Sequence, residues 1–160
     1  PISLAMKRIL TAFAALVAAT ALSPAVQAQG AETETDVPVV MAPLPAAGID
    51  LASYQWVKRP IVVFADTPAD PRFVEQMRLL ADRPGALAER DVVVIVDTDP
   101  AARSAVRTKL RPRGFQLTII GKDGAVKLRK PAPWDVREIT RAIDKMPLRQ
   151  DEIRRQRAGS

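Results

Sequence analysis

Gly114-Phe115-Gln116-Leu117-Thr118-Ile119-Ile120-Gly121-Lys122-Asp123-Gly124-Ala125-Val126-Lys127-Leu128-Arg129 reads as an antiparallel hairpin. Two strand-like runs, Phe115 to Ile120 and Ala125 to Arg129, flank Lys122-Asp123-Gly124. An Asp-Gly between such runs supplies the positive backbone angles that a tight hairpin turn requires. Upstream, Ile61-Val62-Val63-Phe64-Ala65 and Val92-Val93-Val94-Ile95-Val96 are continuous apolar runs, the pattern of strands buried on both faces. Between them Asp70 can cap a helix with Pro71 at its first position, and Phe73, Met77 and Leu80 recur at helical spacing. Arg83-Pro84-Gly85 interrupts that helix, and Leu87 to Arg90 can add a turn. Asp99-Pro100 repeats the cap-plus-proline start of a helix whose inner face is Val106 and Leu110, ended by Arg111-Pro112-Arg113-Gly114. After the hairpin, Asp135 with Glu138 forms a capping-box pattern ahead of Val136, Ile139, Ile143 and Met146.

The order is therefore β-α-β-α-β-β-α. The first two strands are joined through a helix and are expected to be parallel, with a right-handed crossover. The last two are antiparallel, and the final helix returns over a sheet face. This predicts an α/β, thioredoxin-like fold with a mixed central sheet flanked by helices.

The chain has 160 residues, a formal charge of +6, 48% apolar and 26% charged residues, a globular composition sized for one domain. It contains no Cys and no His, which removes thiol redox chemistry, Ser-His-Asp and Cys-His catalysis, and ordinary zinc, copper or haem ligation. No cofactor or metal is expected. Aromatic residues at 4% are too few for a base-stacking surface, so no nucleic-acid partner is expected.

Met6-Lys7-Arg8 forms a positive start, Ile9 to Leu22 is uncharged, and Ser23-Pro24-Ala25-Val26-Gln27-Ala28 offers small residues for cleavage after Ala28. These are the three parts of a secretory signal peptide. Residues 1–28 are read as upstream residues and signal, which places the product in the periplasm or outside the cell. No later stretch is long and apolar enough to span a bilayer. Loss of Lys7 and Arg8 lowers the mature charge to +4. Residues 29–48, with Glu32, Glu34, Asp36, Pro38, Pro43 and Pro45, read as a Pro-rich acidic linker. The domain is expected over 49–147, followed by a charged tail over 148–160, helical to about Arg157.

The hairpin resembles that of thioredoxin, in which a cis-proline opens the third strand. Counting back from Gly124, that position falls on Gln116. Asp66-Thr67-Pro68-Ala69-Asp70-Pro71 stands where the Cys-x-x-Cys would follow the first strand. Both redox hallmarks are missing. A fuller resemblance covers Trp56 to Ala65, Glu89 to Val94, Ile120 to Arg129 and Ile143 to Gln150. These stretches resemble a family of thioredoxin-like domains found in secreted bacterial proteins and in vertebrate extracellular proteins such as equarin and the sushi-repeat proteins, the P-DUDES group. The resemblance implies an exported domain of unassigned biochemistry, and the matrix-type vertebrate members favour binding over catalysis.

Two constellations are candidate sites. Asp66, Asp70, Asp97 and Asp99 follow the first two strands, at the sheet edge where open α/β folds place ligands. They could serve a hard cation or acid–base chemistry, or simply cap helices and accept turn amides. Arg103, Arg107 and Arg111 repeat at i, i+4 and i+8, with Lys109 and Arg113 nearby. On one helix they would form a basic stripe, either a solvated face or an anion site. Trp56 and Trp134 are expected to pack at sheet edges. Three functions follow: a redox-inactive binding module, a carboxylate enzyme or cation site, and a basic protein held to an anionic envelope component. The partner is an unidentified protein or such an anionic ligand.

Overall fold

The predicted sheet is present in the computed structural model, which describes residues 41–159. The export segment and most of the predicted linker lie outside the described residues. The strands are β1 (Leu44–Pro45), β2 (Arg59–Phe64), β3 (Val92–Asp97), β4 (Gln116–Ile120) and β5 (Val126–Lys130). The helices are α1 (Pro71–Asp82), α2 (Pro84–Ala88), α3 (Ala105–Leu110), α4 (Val136–Asp144) and α5 (Pro147–Ala158). The strand order is β1-β3-β2-β4-β5. β2 pairs parallel with β3, Ile61 opposite Val94, and antiparallel with β4, Ile61 opposite Ile119.

Alternation along the strands divides the core in two. Ile61, Val63, Val94, Leu117 and Ile119 face α1, α2 and α4, meeting Leu80, Leu87, Val136, Ile139 and Ile143. Val62, Phe64, Ile95 and Ile120 face the other way, toward Val106 and Leu110 of α3. Strands covered on both sides need both faces apolar, hence the unbroken apolar runs. The hairpin closes as its Asp-Gly requires, with Gly124 at φ 77° and the Gly121 amide donating to the Ala125 carbonyl at 2.9 Å. Among the described residues no helix is long and apolar enough to cross a membrane.

Two expectations need correction. Leu44–Pro45, assigned to the linker, pair parallel with Ile95 and Val96, and Ala46, 4% exposed, joins the second core cluster. Proline is tolerated here because β1 is an edge strand with a free side. The ordered domain thus starts before Ile49. A chain beginning at Met41 should melt several degrees above one beginning at Ile49, since about 1–2 kcal/mol of strand pairing and burial is lost. Equal melting temperatures would return this segment to the linker.

The second predicted helix is broken in two. Asp99 caps only a 3₁₀ turn, Pro100–Ala102, accepting from the Ala101 amide at 3.0 Å. Arg103 then turns left-handed at φ 45°, and Ser104 caps α3 by accepting from the Arg107 amide at 3.0 Å. The charged tail forms α5, which runs to Ala158 and buries Arg149 against the domain.

Candidate functional site

The strand-end carboxylates do not share a site. Asp97 ends β3 beside Phe64 of β2 and is buried. It accepts from Ser104 Oγ and from Arg107 through Nε at 3.0 Å and Nη2 at 2.8 Å. Arg107 also donates to the Ala65 carbonyl at 2.8 Å and lies over the Phe64 ring, 5.4 Å from its centre. Asp70 caps α1 through the Arg72 amide and pairs with the Arg72 guanidinium at 3.0 Å. That side-chain hydrogen bond, working against desolvation, holds its carboxyl below the usual range. Asp99 is spent on its turn. Asp66 is exposed and takes no turn amide; Thr67 Oγ1 accepts the loop bond from the Ala69 amide instead. Among the described residues no three carboxylates are grouped to hold a metal ion.

The basic stripe is also rearranged. Arg103 sits on the left-handed turn before α3, Arg107 points inward to Asp97, and Arg111 takes the left-handed cap at φ 49°. The break at Arg103 destroys the i, i+4, i+8 relation. What replaces it is an open cleft of about 600 Å³ between the C-terminal end of α3 and the β4–β5 face, lined by Lys109, Arg111, Arg113, Gln116 and Arg129. Arg129 shares a face with Thr118 opposite it and donates to the Leu110 carbonyl at 2.7 Å. No carboxylate lines the cleft. Among the described residues Lys109, Arg111 and Arg113 make no ion pair, although many other arginines do. Gln116, the position of the missing cis-proline, stands in this wall.

A second charged region was not foreseen. At the opposite end of β2, Arg59 is 0% exposed. It donates through Nη1 to the Arg90 carbonyl at 2.8 Å and through Nη2 to Glu152 Oε1 at 2.8 Å. Lys122 of the hairpin turn reaches Glu152 Oε1 at 2.9 Å and Asp91 at 2.7 Å. Arg149 donates to Glu152 Oε2 at 3.2 Å, and Arg90 grips both oxygens of Asp144. Burial pushes the Glu152 carboxyl upward, but the hydrogen bonds from Arg59, Lys122 and Arg149 outweigh it and lower it from 4.5 to about 2. Arg90 likewise holds Asp144 low. The four stretches that carry the family resemblance supply Arg59, Arg90, Asp91, Lys122, Asp144 and Arg149, while Glu152 lies two residues past the last of them.

The tryptophans part company. Trp134 packs against the first core cluster beneath Lys130, whose ammonium is 4.2 Å from the ring centre. Trp56 does not pack as expected: it is 64% exposed at φ 66°, its amide donating to the Lys122 carbonyl.

Residues 50–152 match the family described as Domain of unknown function (DUF4174). Among curated proteins none matches the chain by sequence. Chloroplastic thioredoxin z is similar in structure at 21% identity, with a TM-score of 0.51 over 66% of this chain and 95% of that one. A reduced 2-Cys peroxiredoxin of Plasmodium vivax aligns at 14% identity, with a TM-score of 0.49 over 60% of this chain and 81% of that one. The likeness to thioredoxin z shows a shared thioredoxin-like fold.

Proposed function

This chain belongs to the family described as Domain of unknown function (DUF4174), and we propose that it is an exported thioredoxin-fold module that binds an anionic ligand without thiol chemistry. The observation that carries this reading is the α3 cleft, where Lys109, Arg111 and Arg113 stand together without counter-charges. Clustered like charges repel one another, and a bound anion relieves that repulsion while gaining charge-assisted hydrogen bonds. The carboxylates offer no comparable site, since Asp70, Asp97 and Asp99 are each occupied by a cap or an ion pair. A chain without Cys has no thiolate nucleophile.

Export rests on the n-, h- and c-regions over residues 6–28. The resemblance to equarin and the sushi-repeat proteins supports a binding role outside the cytoplasm. The ligand is then an acidic protein or polymer of the envelope.

Retention on heparin-agarose tests the cleft. The wild type is expected to bind at about 0.15 M salt and to elute as screening increases. Arg111→Glu with Arg113→Glu should elute at clearly lower salt with an unchanged melting temperature, because neither residue is paired. Unchanged retention of this variant would sink the cleft as the site.

A further inference from the structure

α5 is held to the domain by charge more than by apolar burial. Only Arg149 of this helix is buried, and Leu148, Asp151, Glu152 and Ile153 are half-buried. Its Glu152 carboxylate enters a cage of three cations: Arg59 from β2, Lys122 from the hairpin turn and Arg149 from α5 itself. A guanidinium stays charged at every accessible pH, so a cage built on fully buried Arg59 always requires an anion. Glu152 fills that need with two oxygens and leaves donors unused. The buried Nε atoms of Arg59 and Arg149 have no hydrogen-bond partner, the latter 3.5 Å from Asp144 Oδ1. Beside the cage lies a cavity of about 70 Å³, lined by Arg59, Lys122, Lys127, Met146 and Leu148 among others. The surrounding acids each hold a cation: Asp91 pairs with Lys58 and with Lys122 of the cage, Asp144 chiefly with Arg90, and Asp123, itself in the cavity wall, with Lys127.

We propose that this cage is a second binding site, for a phosphate-class oxyanion, in which Glu152 is a resident carboxylate that the ligand displaces. A tetrahedral oxyanion presents more acceptor oxygens and more charge than one carboxylate, and so can take the unused guanidinium donors as well as the bonds Glu152 now makes. The cavity provides room beside the cage, and Lys127 stands in its wall. Ligand entry then frees the Glu152 side of α5, which has little apolar contact to keep it seated. This site is independent of the α3 cleft.

The test is the response of wild type and Glu152→Ala to inorganic phosphate, followed by calorimetry and thermal unfolding at constant ionic strength with chloride as the reference. Removing the competing carboxylate should tighten phosphate binding about ten-fold or more, because the wild-type affinity is reduced by the small fraction of open cage. Lys127→Met in the Glu152→Ala background should weaken it again. In the wild type, phosphate should speed amide exchange along residues 150–158. Equal phosphate affinity in wild type and Glu152→Ala would overturn the proposal, as would a phosphate effect that chloride matches. If Glu152→Ala is unfolded alone, refolding on phosphate addition supports the site, and failure to refold refutes it.

Discussion

Arg59→Met is expected to cost the domain about 3–5 kcal/mol, the range for removing one partner of a buried ion pair. The guanidinium is fully buried, so its loss withdraws a hydrogen bond from the Arg90 carbonyl and a counter-charge from Glu152. Lys122 and Arg149 still face that carboxylate, which keeps the loss toward the lower end. The double variant Arg59→Met, Glu152→Met should be less damaged than the sum of the singles, since neither charge is then left alone. Acid gives an independent readout. Glu152 ordinarily titrates near 4.5 and is depressed to about 2 in the fold. A depressed carboxyl contributes stability that is complete above its unfolded value and is lost as pH falls through its folded value. The wild type should therefore lose roughly 3 kcal/mol between about pH 4.5 and 2 from this group. In Arg59→Met that acid limb should be shallower. Urea unfolding across this pH range measures both effects. A wild-type stability that is flat in the window would contradict the cage as drawn.

The strands and the hairpin could be read because their causes are local. A run such as Ile61 to Phe64 is apolar at every position because both faces are covered, and Asp123-Gly124 turns because of its own backbone preferences. The cage had no such signature. Arg59 and Glu152 are 93 residues apart, and an arginine beside a proline at a strand entry looks like any solvated charge. The only available hint was that each family-like stretch contains a charged residue, Arg59, Arg90, Lys122 or Arg149, and these met at one corner of the fold. β1 was hidden by its length: two residues, one a proline, show no strand period. The arginine stripe failed for a different reason. Its geometry assumed one helix from Pro100, whereas Ser104 is the better cap for Val106 and Leu110 and restarts the helix there. The cations were correctly located in the chain, but the break redistributed them between an inward clamp and an open cleft.

The clamp gives the second large effect. The sequence alone suggests that Asp97→Asn should cost on the order of 1 kcal/mol, because Asn keeps an acceptor oxygen for turn amides. The structure raises that expectation to about 3 kcal/mol or more, since Arg107 loses its Asp97 countercharge in a nearly closed site. Asp97 is 6% exposed and receives Arg107 through two nitrogens plus Ser104 Oγ. The Asp99 amide also donates to Asp97 Oδ1 at 3.3 Å, and an amide side chain cannot accept from all four donors, its own N–H groups facing one of them. The damage should spread, because Arg107 also bonds the Ala65 and Asp97 carbonyls and so ties the ends of β2 and β3 to α3. Asp66→Asn, at an exposed carboxylate without a hydrogen bond, should stay within about 0.5 kcal/mol of wild type. Asp99→Ala should fall between, near 1 kcal/mol, for one lost cap. The ranking Asp97 over Asp99 over Asp66 in urea midpoints is thus the expected result at neutral pH. A metal site would instead make Asp66→Asn and Asp97→Asn alike, both abolishing a Ca²⁺- or Mg²⁺-dependent rise in melting temperature. An Asp97→Asn variant as stable as Asp66→Asn would mean that Arg107 swings out to solvent and that the clamp contributes nothing to the sheet edge.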